Sequence, residues 1–393
     1  TEDHDFDEIN FFNFKGSKVV WNRQDGGAVG RFSLDGLQDV FETFSEHLGS
    51  SKNAVYIKQL FEKAYLQHKN LSEATRFIAN ELFKEYGLVI IDADHQKLKD
   101  VFAPIMKDEL LSQTSHKAVS KTITELEKDY KVQVNPREIN LFYLSDNSRE
   151  RIIEEDGQYK VNDTNLVFSE AEILQELENH SERFSPNVIM RPLYQEVILP
   201  NLCYIGGGGE LAYWLELNAY FDSVNIPFPI LLLRNSVQIV SEKQVKKLNN
   251  LNISFEEMFL KQHDLLTKKV QENSDIQFCF EDANELLTQQ FLALRRVAEK
   301  TDPSFIGAVD AQHRKQLKGL ENLEKRLSRA EKRKHSDLVT RITALQQQLL
   351  PNQSLEERQR NFSEFYLEYG QDLIIALKES LKPLKLEFTI LEL

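Results

Sequence analysis

The feature that most constrains the fold is a change of pattern near residue 242 of this 393-residue chain. Before it, short apolar runs of strand length alternate with segments of helical period, and glycines and prolines separate them. After it, apolar residues recur at steps of three and four, with few glycines and one proline up to residue 350. The first pattern predicts an open α/β sheet, and the second predicts a coiled coil or a helical hairpin.

This change divides the chain into three expected segments. An α/β core spans residues 1–241 and contains a helical insertion at about 36–86. A coiled-coil arm follows at 242–350, with a weak point in its apolar seam near Lys334. Residues 351–393 are expected to add a helix and a strand that return to the core.

Composition excludes several classes of protein. A formal net charge of −14 argues against a protein that coats nucleic acid, and the short apolar runs argue against a membrane span. The two cysteines, Cys203 and Cys279, form no CxxC pair, so we expect no metal site and a cytoplasmic location. We interpret Cys203 as a buried structural thiol. The start without methionine, inside a polar cluster, is interpreted as the middle of a domain, so we expect the chain to be a fragment.

Four consecutive glycines follow one predicted strand and precede a helix. Glycine lets the backbone approach a ligand closely, and a helix start offers N–H groups to an anion. The same run also suits a tight packing turn, and no Lys-Ser/Thr follows it as in a Walker loop. Glu210 matches the helix dipole, and Tyr213 and Trp214 could stack on a ring. The predicted ligand residues here are Gly206, Gly207, Gly208, Gly209, Glu210 and Trp214.

The segment just before this loop is rich in side chains that form several hydrogen bonds. It runs Phe-Ser-Pro-Asn-Val-Ile-Met-Arg-Pro-Leu-Tyr-Gln-Glu from residue 184 to residue 196. Amide and guanidinium groups of this kind bind carboxylates and phosphates in fixed orientations. The sequence therefore predicts that a substrate or nucleotide contacts Asn187, Arg191, Tyr194 and Gln195.

Two further clusters combine carboxylates with histidine. Asp3, His4 and Asp5 could act in acid–base catalysis, although a solvated acidic turn gives the same composition. Asp92 and Asp94 follow the apolar run from Leu88, which we interpret as a buried parallel strand. Open α/β sheets bind ligands at the ends of such strands, and a loop with a helix cap is the alternative.

The segment from Phe184 to Trp214, with the opening Thr-Glu-Asp-His-Asp-Phe-Asp-Glu-Ile-Asn, resembles the bacterial cysteine-adding enzymes of bacillithiol synthesis, the cysteine ligase family. The resemblance implies a Rossmann-like, nucleotide-type core with helical insertions and a long C-terminal antiparallel coiled coil that forms a homodimer. It also implies that cysteine is joined as an amide to glucosaminyl malate, in the last step of that synthesis.

Amide formation requires an activated carboxyl group, so we expect ATP or another nucleotide to take part. The loop from Gly206 to Gly209 and Arg191 would hold a phosphate or the malate carboxylates, while His4 and Asp5 would lie near the amine or the nucleotide. Two alternatives stay open. The chain could be another nucleotide-fold transferase that acts on a small anionic substrate, or a non-catalytic coiled-coil scaffold.

Overall fold

The computed structural model describes residues 9–23, 26–276 and 280–393 and contains two compact units. The first unit comprises Thr1–Ser236 and Arg360–Thr389, and the second comprises Val237–Gln359 and Ile390–Leu393. The first is mixed α/β and the second is mainly helical. This difference in content follows from the change of pattern near residue 242.

The strands of the first unit form three small sheets. An antiparallel five-stranded sheet has the order β6-β5-β4-β3-β7, while β8 and β9 pair in parallel and β1 and β2 form a hairpin. Two helices connect β8 to β9, which gives the strand–helix–strand unit expected of an α/β core. The strands are β1 (Phe11–Phe14), β2 (Ser17–Val20), β3 (Leu141–Ser145), β4 (Ser148–Glu155), β5 (Gln158–Val161), β6 (Val167–Ser169), β7 (Phe184–Pro186), β8 (Cys203–Gly206) and β9 (Ile230–Leu233).

The helices of the first unit surround these sheets. Short 3-10 helices also occur at Val29–Arg31, Lys84–Tyr86 and Ser181–Arg183. The α-helices are α1 (Leu37–Leu48), α2 (Lys52–Tyr65), α3 (Leu71–Phe83), α4 (Gln96–Ser112), α5 (Thr114–Leu126), α6 (Glu170–Asn179), α7 (Arg191–Ile198), α8 (Gly208–Leu215), α9 (Asn218–Ser223), α16 (Phe362–Tyr369) and α17 (Gln371–Ser380), with α10–α15 in the second unit.

Local sequence determines several of these boundaries. The spacing of Ser169 and Glu172 is that of a capping box, and the structure contains it, because the Ser169 side chain accepts a hydrogen bond from the backbone of Glu172 at the start of α6. Gly87 ends the helical segment after α3 in the left-handed conformation, with φ of 75°. Ser72 is a residue type that favours the N-cap of α3, but Asn70 holds that position, and its side chain accepts the Glu73 N–H at 2.9 Å.

Two runs of the first unit whose composition favours a strand do not form one. The run from Leu88 to Asp92 forms no strand and is not buried, since Val89 is 84% exposed. No described strand pairs with this run, so its apolar side chains have no sheet to cover them. The run from Val29 to Phe32, whose composition favours a strand, contains a 3-10 helix at Val29–Arg31. Pro104 lies inside α4, which ends at Ser112 and is followed by Gln113 with φ of 52°.

The second unit combines one strand pair with helices. Its longest helices, α13 and α14, are joined by four residues and pack together, with Phe291 stacked on His313 and Arg295 near Asp310. The expected weak point is confirmed, because α14 ends at Lys334. The elements are β10 (Val237–Val240), α10 (Glu242–Asn250), α11 (Phe255–Met258), α12 (Gln262–Glu272), α13 (Glu281–Ala298), α14 (Pro303–Lys334), α15 (Ser336–Leu349), 3-10 helices at Pro351–Gln353 and Glu356–Arg358, and β11 (Thr389–Glu392). Within the described ranges, every helix is too short or too polar to cross a membrane.

Candidate active site

A cavity of about 260 Å³ in the first unit brings together four residues predicted from the sequence, namely Asp92, Asp94, Arg191 and Tyr194. One face of α3 forms a wall, because the lining residues of that helix recur at steps of three, four and seven. We call this space the arginine cavity; its lining consists of Ser72, Thr75, Arg76, Ala79, Ile90, Ile91, Asp92, Ala93, Asp94, Pro186, Arg191 and Tyr194.

The two aspartates have different roles in the wall of this cavity. Asp94 forms a bidentate ion pair with Arg31, at 2.5 and 2.7 Å, and a second with the buried ammonium group of Lys99 at 2.8 Å. Asp92 accepts hydrogen bonds from the Ser72 hydroxyl at 2.8 Å and from a backbone N–H at 3.1 Å. Asp94 therefore holds cations of the protein, whereas the carboxylate of Asp92 is held by neutral donors.

Two side chains of helix α7, Arg191 and Tyr194, line the arginine cavity. Arg191, its first residue, donates a hydrogen bond to the Tyr213 hydroxyl. The hydroxyl of the buried Tyr194 donates to the Ala93 carbonyl oxygen at 2.6 Å and so attaches α7 to the segment that carries the aspartates. Gln195 is half-buried, with its amide 3.4 Å from Glu196, and does not line the cavity.

The glycine run has a buried half and an exposed half. Gly206 and Gly207 are buried, and Gly208 and Gly209 are exposed in the first turn of α8. The carboxylate of Glu210 accepts the Gly207 N–H at 2.6 Å, so Glu210 is the third helical residue of a capping box whose N-cap is Gly207. That carboxylate reduces the attraction of this helix start for an anion.

Space around the glycines separates the two halves further. A Cβ atom on Gly206 would lie 2.7 Å from the Tyr204 ring, whereas one on Gly208 or Gly209 would meet nothing within 4 Å. Packing inside the protein therefore requires glycine at position 206. It does not explain why glycine occupies positions 208 and 209. Beside this turn, burial together with Tyr213 and Glu210 raises the pKa of Tyr204 to about 12.

Two predicted ligand residues lie in the interior of the first unit. Trp214 is fully buried and stacks on Tyr204 with ring centres 4.0 Å apart, so its ring is not open to a ligand. Asn187 donates to Asn140 at 2.8 Å and accepts a backbone N–H of the following turn. Asn140 in turn donates to the buried carboxylate of Glu109, so this network stabilises the fold.

Four of the remaining predicted residues lie outside the part of the chain that the structure describes, and the interpretation of Cys203 is contradicted. Asp3, His4, Asp5 and Cys279 lie outside the described residues. Cys203 is exposed at the start of β8, so its interpretation as a buried thiol is wrong. The two-stranded sheet of β8 and β9 leaves the side chain open to solvent, because no described strand covers it.

Sequence reasoning missed three cations at the cavity wall. Arg31 and Lys99 hold Asp94, and Arg76 lines the cavity from α3. None of them lies in a motif, and only the position of α3 against the 90–94 segment makes Arg76 part of the site. In the described ranges, no group of three His, Cys, Asp or Glu side chains could hold a metal ion.

A second, larger cavity of about 360 Å³ lies among β1, β2 and the helices α1–α3. Its wall is largely apolar and includes Trp21, Phe44 and Phe61. Burial raises the pKa of Tyr65, which lines this cavity, so that phenol is unsuited to proton transfer near neutral pH. Of these two cavities among the described residues, the arginine cavity is the one lined by charged side chains, and we take it as the candidate site.

Comparison with known proteins matches both parts of the chain. Residues 1–235 match the family model for the N-terminal Rossmann-like domain of bacillithiol biosynthesis BshC, and residues 237–393 match that for its C-terminal coiled-coil domain. A protein of Flavobacterium johnsoniae named "Putative cysteine ligase BshC" is 58% identical over all of this chain and 74% of its own length. Proteins with the same name are 57% identical in Christiangramia forsetii, with the same coverage, and 26% identical in Bacillus cytotoxicus, over 95% of this chain and 72% of theirs. The chain therefore belongs to the BshC family of bacillithiol biosynthesis, with a Rossmann-like domain followed by a coiled-coil domain.

Proposed function

We propose that this protein is a ligase that joins the carboxyl group of cysteine to the amino group of glucosaminyl malate. Membership of the BshC family carries the proposal, together with the name shared by the relatives. The arginine cavity supports it with charges of both signs. Arg76 and Arg191 suit carboxylates, while Asp92 suits an ammonium group, and glucosaminyl malate carries both kinds of group.

The reaction requires a better leaving group than the oxygen of a free carboxylate. ATP supplies it by converting the cysteine carboxyl to an acyl phosphate or acyl adenylate. The acceptor nitrogen then attacks the acyl carbon, the C–N bond forms, and the C–O bond breaks with its electron pair leaving on phosphate or AMP. The amine gives up its proton to a base, for which His4 and Asp5 are our candidates and Asp3 their neighbour.

The glycine run is our candidate for the surface that the nucleotide approaches. Gly208 and Gly209 leave open space beside the first turn of α8, so a flat base or sugar can approach the backbone there. The carboxylate of Glu210 at that turn disfavours a phosphate directly on the helix start. We therefore place anion recognition on Arg191 rather than on the glycine amides.

We further propose that the protein is a cytoplasmic homodimer that forms through its coiled-coil domain. Large apolar side chains stay exposed on one side of α13, with Leu286 61%, Leu294 51% and Val297 59% exposed. Burial of such a stripe against a second copy is the usual source of stability in helical dimers. The equilibrium molar mass by analytical ultracentrifugation tests this, and a monomer at all concentrations would contradict it.

The experiment that tests the reaction incubates the complete protein with cysteine and glucosaminyl malate, with and without ATP, and identifies products by mass spectrometry. We expect the cysteinyl amide to form only with ATP, together with phosphate or AMP in equal amount. Amide formed without ATP would contradict activation by ATP but would support the assignment of the two substrates. Absence of amide under both conditions would favour the transferase or scaffold alternative.

A further inference from the structure

The side chain of Arg76 at the arginine cavity makes no polar contact that stabilises the fold among the described residues. Arg76 lies on α3, is exposed, and has no hydrogen-bond or ion-pair partner among the residues that the structure describes. The other described cations around this space are engaged, since Arg31 and Lys99 hold Asp94 and Arg191 contacts Tyr213. The guanidinium of Arg76 can therefore bind a ligand without breaking a hydrogen bond or an ion pair of the protein.

Arg76 is exposed at the wall of the arginine cavity because of its position on α3. Ser72, Thr75 and Ala79 line the same space, and these four positions form one face of α3. The Ser72 hydroxyl donates to Asp92, so the Thr75 hydroxyl is the one that accompanies the guanidinium on this wall. Five N–H donors in a planar fork match the two oxygens of a carboxylate, and the Thr75 hydroxyl can add a further hydrogen bond.

Size and charge indicate which ligand group this wall receives. A volume of about 260 Å³ is small for a whole nucleotide but suits a short dicarboxylic acid with part of a sugar. The carboxylate of Asp92 lines the same cavity and would repel a phosphate dianion. A ligand that carries carboxylates and an ammonium group avoids this repulsion, because the ammonium group can pair with Asp92.

We infer that Arg76 is a specificity-determining residue that binds a malyl carboxylate of the acceptor substrate, an inference that rests on the proposed function. Arg76 takes no part in bond making, and its contribution is the affinity for the acceptor. Cysteine also has a carboxylate, but that group reacts and must reach the acyl-transfer site. The two substrates can be distinguished experimentally.

The test compares Arg76→Gln and Arg76→Lys with the unmodified protein in steady-state kinetics, varying each substrate separately. Loss of a charge-assisted bidentate contact predicts a rise of roughly 10- to 100-fold in KM for the acceptor with Arg76→Gln. We expect less than about a two-fold change in kcat and in KM for cysteine, and an intermediate value for Arg76→Lys. Arg137→Gln, at an exposed arginine that does not line the cavity, makes the same charge change and should leave all constants unaltered.

A modified acceptor makes the test specific for the carboxylate. With the dimethyl ester of glucosaminyl malate, the unmodified protein and Arg76→Gln should have the same KM, because the contact is absent from both. A difference that persists with the ester, an unchanged acceptor KM, or a rise in KM for cysteine instead would each overturn the inference.

Binding without turnover separates this inference from the proposed reaction. Calorimetric titration with glucosaminyl malate should give weaker binding to Arg76→Gln than to the unmodified protein or Arg137→Gln. Weaker binding with no ligation by any variant would refute the reaction and retain the carboxylate site. Equal binding to all variants would refute the site even if ligation occurs, and thermal unfolding confirms that each variant is folded.

Discussion

Alanine at Gly208 or Gly209 should change stability and activity in opposite directions. Both residues lie in the first turn of α8 with ordinary backbone angles, and a Cβ atom there meets no atom within 4 Å. Alanine loses less conformational freedom on folding than glycine, by about 0.5–1 kcal/mol inside a helix and less at its first positions. We expect each variant to be about 0.5 kcal/mol more stable, which raises the thermal midpoint by roughly 1 °C.

Gly206 provides the matched control in the same run. A Cβ atom there would lie 2.7 Å from the Tyr204 ring and 3.2 Å from the Cβ of Glu210. The Tyr204 ring is stacked on the buried Trp214, so it has little freedom to move away. Overpacking of this kind costs about 1–3 kcal/mol, and Gly206→Ala should therefore lower the thermal midpoint.

The assay measures thermal unfolding and kcat/KM for each substrate on the same preparations. If a ligand approaches the exposed glycines, the added methyl groups should lower kcat/KM roughly 10- to 100-fold despite the gain in stability, because small displacements of reacting groups have effects of this size. Full activity in Gly208→Ala and Gly209→Ala would refute the role of the loop in ligand approach. A loss of stability in both variants would contradict the conclusion that a Cβ atom at these positions meets no neighbouring atom.

Three further predictions concern buried charge. Burial alone would raise the pKa of Glu257, but hydrogen bonds from Lys268 and Lys269 lower it to about 2, so this carboxylate stabilises the fold above about pH 4.5 and ceases to do so as the pH falls toward 2. Urea unfolding at several pH values should show a loss of about 2 kcal/mol over that range that is absent from Glu257→Gln, and an equal loss in the variant would contradict it. Glu109→Ala should lower the free energy of unfolding by about 3 kcal/mol in urea, since buried donors lose their acceptor, and a change below about 1 kcal/mol would exclude that network. Asp94→Asn should cost about 3 kcal/mol in the same measurement by leaving the buried Lys99 ammonium without its carboxylate, and unchanged stability would assign Asp94 to ligand binding alone.

The sequence predicted the parts of this fold that depend on local chemistry. The capping box at Ser169 is such a case, because neighbouring residues alone satisfy the backbone groups there. The end of α14 at Lys334 is another, where the apolar period breaks. These elements need no information about the rest of the molecule.

Elements that depend on distant partners were less predictable. The apolar run from Leu88 has the composition of a buried strand, yet composition does not supply the neighbouring strand that such burial requires. Trp214 was an attractive stacking residue for a ligand, but Tyr204 occupies that face. Arg76 has no local signature, because its importance comes from the position of α3 against the 90–94 segment, which begins seven residues after the helix ends.

The distribution of charge at the candidate site supports our proposal that arginine side chains recognise the anion. A glycine run before a helix usually binds an anion through backbone N–H groups and the helix dipole. Here Glu210 occupies that position, so the helix start is satisfied by the protein itself. Cations instead come from the side chains of Arg76 and Arg191, whose guanidinium groups stay charged at every physiological pH. Planar guanidinium groups bind carboxylates and phosphates alike in a fixed orientation. In our proposal the discrimination comes from the neighbouring carboxylate of Asp92, which repels a phosphate dianion and can pair with the ammonium group of an acceptor that carries both charges.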